Sequence, residues 1–157
     1  MRSEKLDKID KKILKILQDN GSITNVDLAK SVGISAPPCL RRVRSLETSG
    51  FIKSYHAKID PASVGYGVTV FAMVKLGSHA ESDLLKFEKR VRELPLVREC
   101  HMIAGEVDFI LKVVARDWDN YQNFLRAELT STPNVVSVKS QLVMRINKDE
   151  PGVPIDD

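Results

Sequence analysis

Few residues of this chain are of types that do covalent chemistry, and their spacing argues against it. The three histidines, His56, His79 and His101, stand apart from one another, and no HExxH, GxSxG, GxxxxGKS/T or GxGxxG pattern occurs. Cys100 and His101 would suit a nucleophile and its base. Neighbours in a strand point to opposite faces, however, so they cannot meet, and the same geometry denies them a shared metal ion. No catalytic residue and no metal ligand is assigned, and the chain is not expected to be an enzyme. Cys39 and Cys100 form no CxxC and are read as free thiols.

Two other groupings point to binding. Arg41, Arg42 and Arg44 lie within four residues of one another, and guanidinium forks suit guanine edges and phosphates. Gly105-Glu106-Val107-Asp108 reads as a tight hairpin between two strands. At its rim an acidic side chain could receive a ligand ammonium or simply accept from its own turn; composition leaves both open.

The arginines need a helix to aim them. From Leu6 to Leu17 the residues Leu6, Ile9, Ile13, Leu14, Ile16 and Leu17 recur at helical spacing, and Asn20-Gly21 ends the run. Thr24 and Asp27 supply the N-cap and acidic first turn of a short second helix with Val26, Leu28, Ala29 and Val32 as core contacts. Gly33 makes the turn, and a third helix opens near Ser35 with Pro37 and Pro38 in its first turn. At about 100° per residue, Cys39, Val43 and Leu46 form the buried stripe and Arg41, Ser45 and Pro38 lie opposite. Arg42 and Arg44 flank that face, so three guanidinium groups are expected on the exposed side of one helix. Three helices with a short turn before the last match a helix-turn-helix, whose final helix enters the DNA major groove. Lys53 to Ile59 reads as a strand leading out of the module.

A turn cluster, Asp60-Pro61 and Gly65-Tyr66-Gly67, marks the boundary. Beyond it the pattern predicts strand Val68 to Leu76, helix Ser82 to Leu94, strands Val97 to Ile103 and Phe109 to Ala115, helix Trp118 to Leu129 and strand Val135 to Val143. Leu84, Leu85, Phe87 and Val91 are the apolar positions of the first of these helices, and Tyr121, Phe124, Leu125 and Leu129 face inward from the second. The order β-α-β-β-α-β is that of a ferredoxin-like sandwich with both helices on one sheet face. The whole is thus an α+β chain: a helix-turn-helix domain over 1–60, a linker over 61–67 and a sandwich domain over 68–157. The bare sheet face invites a homodimer, whose two-fold axis would suit a palindromic DNA site.

Charge agrees with this division. Residues 1–60 hold 12 Lys and Arg against 7 Asp and Glu, whereas residues 61–157 hold 12 against 14. A basic module joined to a slightly acidic one fits DNA binding by the first. No apolar run approaches the roughly 18 residues of a membrane span, and the first ten residues lack a signal-peptide core, which points to a cytoplasmic protein without a membrane partner.

The residues Asp27-Leu28-Ala29, Val32-Gly33-Ile34-Ser35, Pro38-Cys39-Leu40-Arg41-Arg42-Val43, Leu46-Glu47 with Gly50-Phe51-Ile52, the stretch VRECHM and Gly105 with Asp108 in AGEVDFIL resemble the leucine-responsive (Lrp/AsnC) regulators. That resemblance implies a winged helix-turn-helix, an amino acid as effector in place of any cofactor, and homodimers assembling into octamers or related rings on double-stranded DNA. It implies Ser35, Pro38, Arg41, Arg42, Arg44 and Ser45 at the DNA. It also implies Met102, Gly105, Asp108, Trp118, Gln141, Leu142 and Val143 at the effector. The alternative is an architectural, nucleoid-type protein with little effector control.

Overall fold

The computed structural model describes residues 6–156. The chain divides into two compact units, one running to Lys58 and taking in the segment from Lys148, the other Ile59–Asn147.

The first unit is built on α1 (Lys8–Asp19), α2 (Asn25–Val32) and α3 (Ala36–Thr48). Asp7 caps α1 by accepting from the N–H groups of Ile9 and Asp10, and Asp10 accepts in return from the Asp7 N–H, a reciprocal capping box. Thr24 caps α2 through the Asp27 N–H. Gly33 closes α2 at φ 78°, a conformation that side chains with a Cβ avoid. Ile13, Leu28, Ala29, Val32, Cys39 and Leu46 form the buried centre, with Ile9, Ile34 and Val43 packed around it. Val26 is 52% exposed rather than in that core, standing about 110° around α2 from the centre of the Leu28-Ala29-Val32 stripe that packs into the cluster. No strand forms over Lys53–Ile59. Its side chains are exposed throughout, and a strand needs a ladder partner that no described segment of this unit provides.

The second unit holds β1 (Val68–Leu76), α4 (Glu81–Arg92), β2 (Val97–Met102), β3 (Phe109–Ala115), α5 (Trp118–Phe124) and β4 (Val135–Leu142). Its antiparallel sheet has the order β2-β3-β1-β4. α5 runs into a π-helical turn, Leu125–Leu129, so the helix predicted to Leu129 changes its hydrogen bonding halfway. Val70, Ala72, Val74 and Leu76 of β1 and Phe109, Leu111, Val113 and Ala115 of β3 are buried against the helices. Strict alternation puts Thr69, Phe71, Met73 and Lys75 with Ile110, Lys112 and Val114 on the face without helices. Phe87 of α4 meets Phe109 with ring centroids 4.7 Å apart. Leu85 points outward, being about a third of a turn from the centre of the Leu84-Phe87-Val91 stripe that packs on the sheet.

Candidate nucleic-acid interface and ligand half-sites

Arg41 and Arg44 are exposed on α3, and no ion pair engages either one among the described residues. Arg42 is different. Its guanidinium lies 2.7 Å from Asp10 Oδ1 and 2.7 Å from Asp7 Oδ2, tying α3 to the cap of α1. The expectation of three outward guanidinium groups is therefore corrected to two. At about 200° on the α3 wheel, Arg42 stands roughly 40° from Leu46, at the border of the buried stripe. Two carboxylates across that border draw it inward. The backbone N–H of Asp10 and the Arg42 guanidinium together hold the Asp7 carboxyl below its usual range. The same two carboxylates, Asp10 first, push the Arg42 guanidinium up.

Around the two free arginines, Ser35 and Ser45 are exposed and Pro38 is half-buried. Ser35 occupies the N-cap position of α3, although its hydroxyl makes no capping bond. Exposed cations and hydroxyls thus lie along α3, a combination that grips phosphates and reads base edges through side chains, since Pro37 and Pro38 take N–H donors out of its first turn.

In the second unit each oxygen of the hairpin carboxylate has a partner. Asp108 Oδ2 accepts from the Leu76 N–H at 2.7 Å, and Oδ1 lies 2.8 Å from His79 Nε2. Asp108 does not cap its own turn; it locks the β2–β3 hairpin to the end of β1 and to the segment leading into α4. His79, which stands alone in sequence, is thereby a partner of the candidate site, and only the tertiary fold reveals it. Gly105 has neither a positive φ nor any atom within 4 Å of where a Cβ would stand. Nothing within this unit requires glycine there. Met102 is exposed beside the hairpin, at the end of edge strand β2.

The remaining candidates lie elsewhere. Gln141 pairs with Phe71 and Leu142 with Val70, on the opposite edge strand β4, while the Val143 N–H donates to Thr69 O. Three strand spacings, roughly 14 Å, separate the two edges. The groups also sit at opposite ends of β1, since the hairpin joins its Val74–Leu76 end. Trp118 opens α5 just after β3 and stacks on Tyr121 at 5.3 Å, with its indole partly exposed. One copy therefore brings Met102, Gly105 and Asp108 together and holds them apart from Trp118, Gln141, Leu142 and Val143.

Cys100 and His101 face opposite sides of β2, as alternation requires. Cys100 borders a cavity of about 240 Å³ with Met102, Val91 and Arg92, while His101 pairs with Glu99 at 3.1 Å. Burial and then the charge of Glu88 push the Cys100 thiol up, away from the reactive thiolate.

A helix-turn-helix with two unpaired arginines on its last helix, followed by an α+β sandwich with one uncovered face, defines a two-module DNA-binding regulator. Residues 6–53 match the model of the winged helix-turn-helix DNA-binding family, and residues 69–153 match that of the Lrp/AsnC ligand binding domain. The chain is 49% identical over 150 residues to a leucine-responsive regulatory protein of Rhizobium meliloti, covering 96% of each. It is 35% identical over 152 residues to the transcriptional regulator AzlB of Bacillus subtilis, covering 97% of each. Among solved structures, a transcriptional regulator of Neisseria meningitidis in complex with L-Met superposes with a TM-score of 0.93 at 35% identity, over 97% of this chain and 98% of that one. The chain belongs to the Lrp/AsnC family of transcription regulators, and its relatives are regulators, not enzymes.

Proposed function

We propose that this protein is a cytoplasmic, sequence-specific transcription regulator that responds to an amino acid. Arg41 and Arg44 hold DNA, helped by Ser35, Pro38 and Ser45. The sandwich units pair through the uncovered sheet face, with Phe71, Met73 and Ile110 at its apolar middle, and the dimers assemble further into an octamer or related ring.

The effector site is completed between copies, Met102, Gly105 and Asp108 coming from one and Trp118, Gln141, Leu142 and Val143 from another. The observation that carries this reading is Gly105, a glycine unexplained by its own backbone or neighbours, beside an anchored carboxylate. A missing side chain leaves room for something from outside the subunit, and a carboxylate complements an ammonium group. The L-Met complex of the Neisseria regulator supports an amino acid as the class of ligand.

The test is thermal unfolding of the whole protein in the presence of each of the twenty amino acids, because a ligand that binds only the folded state raises Tm. At least one amino acid is expected to raise Tm and to alter DNA binding in a gel-shift titration. A flat response to all twenty would remove the effector from the proposal.

A further inference from the structure

The exposed side of α3 carries one branched apolar residue. Leu40 is 38% exposed and lies outside the apolar cluster that fills the first unit. At about 0° on the wheel, with Val43 near 300°, it turns out of the core. Arg44 follows at roughly 40°, Pro37 at 60° and Arg41 at 100°. All four lie on the accessible side of the helix. An isoalkyl side chain thus stands about 40° from the unpaired Arg44, at the edge of the surface that the proposed function assigns to DNA.

The major groove offers one apolar group, the C5 methyl of thymine. An Arg44 set to reach phosphate or a guanine edge would bring the side chain beside it into the groove. We infer that Leu40 is a specificity-determining residue that recognises the C5 methyl of a thymine in each half-site. The inference rests on α3 being the DNA-reading helix. Leu40 contributes no hydrogen bond, so it favours thymine over cytosine, whose C5 carries only hydrogen, and over deoxyuridine, which differs from thymine by that methyl alone.

Duplexes selected by the full-length protein from a randomised pool supply the probe. Each thymine of the selected site is then replaced in turn by deoxyuridine. At one symmetry-related pair of positions the parent is expected to lose roughly fourfold in affinity per half-site, the worth of one buried methyl group. Leu40→Ala is expected to bind the thymine and deoxyuridine duplexes equally, and selection repeated with Leu40→Ala should lose the thymine preference at that position alone. Since Leu40 is outside the buried core, the variant should remain folded and unfold cooperatively. If no deoxyuridine substitution weakens the parent, or if Leu40→Ala remains as sensitive as the parent, the inference is overturned. Arg41→Ala and Arg44→Ala separate the two levels. Weakened binding by these variants with an indifferent Leu40 sinks only the thymine contact, whereas unchanged binding by them removes α3 from the DNA and this inference with it.

Discussion

Arg42 of α3 meets Asp10 of α1 at 2.7 Å, an ion pair that the adjacent Arg41 does not share among the described residues. Arg42 is 33% exposed and Asp10 19%, so the pair is only partly screened by water. Arg42→Ala leaves two carboxylates without their counter-charge at the α1 cap and should lower the stability of the helical unit by about 1–2 kcal/mol. Arg41→Ala should leave stability within about 0.5 kcal/mol while weakening DNA binding and reducing its salt dependence. Denaturant unfolding combined with binding isotherms at several salt concentrations checks both. The assignment fails if Arg42→Ala unfolds like the parent or Arg41→Ala binds like it.

The Asp7 carboxyl titrates below its ordinary value of 3.8 because the Asp10 N–H and then Arg42 favour its charged form. A depressed folded-state pKa contributes stability above the unfolded value and loses it as pH falls through the folded one. Asp7→Asn keeps an N-cap acceptor but removes the charge. The parent should therefore be the more stable of the two at pH 5 to 7, and the gap should close below about pH 4. A gap independent of pH would disprove the role of the charge.

Gly105 has open space around it and an ordinary φ. Gly105→Ala is accordingly expected to leave the Tm of the unliganded protein nearly unchanged, within about 0.5 kcal/mol of stability. The Tm rise produced by the effector amino acid should nevertheless be lost or greatly reduced. An unaltered ligand response would show that the space beside Gly105 is not used.

The segment after Lys148 docks on the first unit. Gln18 on α1 grips one residue of it at two points, its Nε2 donating to Val153 O at 3.1 Å and its Oε1 accepting from the Val153 N–H at 3.3 Å. Gly152 stands at φ 75°, and a Cβ there would overlap the Gln18 amide. Lys58 Nζ anchors the same segment at Asp149, 2.8 Å from Oδ2. Gly152→Ala and Gln18→Ala should each release the tail from α1, at a cost of about 1 kcal/mol or somewhat more. Hydrogen exchange at Val153 and limited proteolysis of the tail should both accelerate. Protection equal to the parent's would rule out the clasp.

Much of the architecture was legible because it depends on periodicity. The 3.6-residue recurrence from Leu6 to Leu17, the Thr24 cap, Gly33 and the alternation in β1 and β3 are local signals, each dictated by the backbone geometry of its own segment. Periodicity was less able to place residues at the edge of a stripe. Val26, Leu40 and Leu85 are apolar at positions that helical spacing alone leaves near the core, and each is exposed, since the neighbouring helix or sheet covers only part of the available face. The expected strand from Lys53 failed for a related reason: a strand's stability lies in its partner, which its own residues do not encode.

By itself, then, the sequence determined the two modules, their order, the arginine-bearing helix and the hairpin that carries Gly105 and Asp108. Tertiary structure decided which arginines are free, because an ion pair such as Arg42 with Asp7 and Asp10 joins residues more than thirty positions apart and leaves no periodic trace. It likewise decided that His79 anchors Asp108 and that the two groups of ligand candidates lie at opposite edges of the sheet. Spacing along the chain constrains a segment's own dihedral angles and faces; electrostatic pairing and strand order arise only when segments meet.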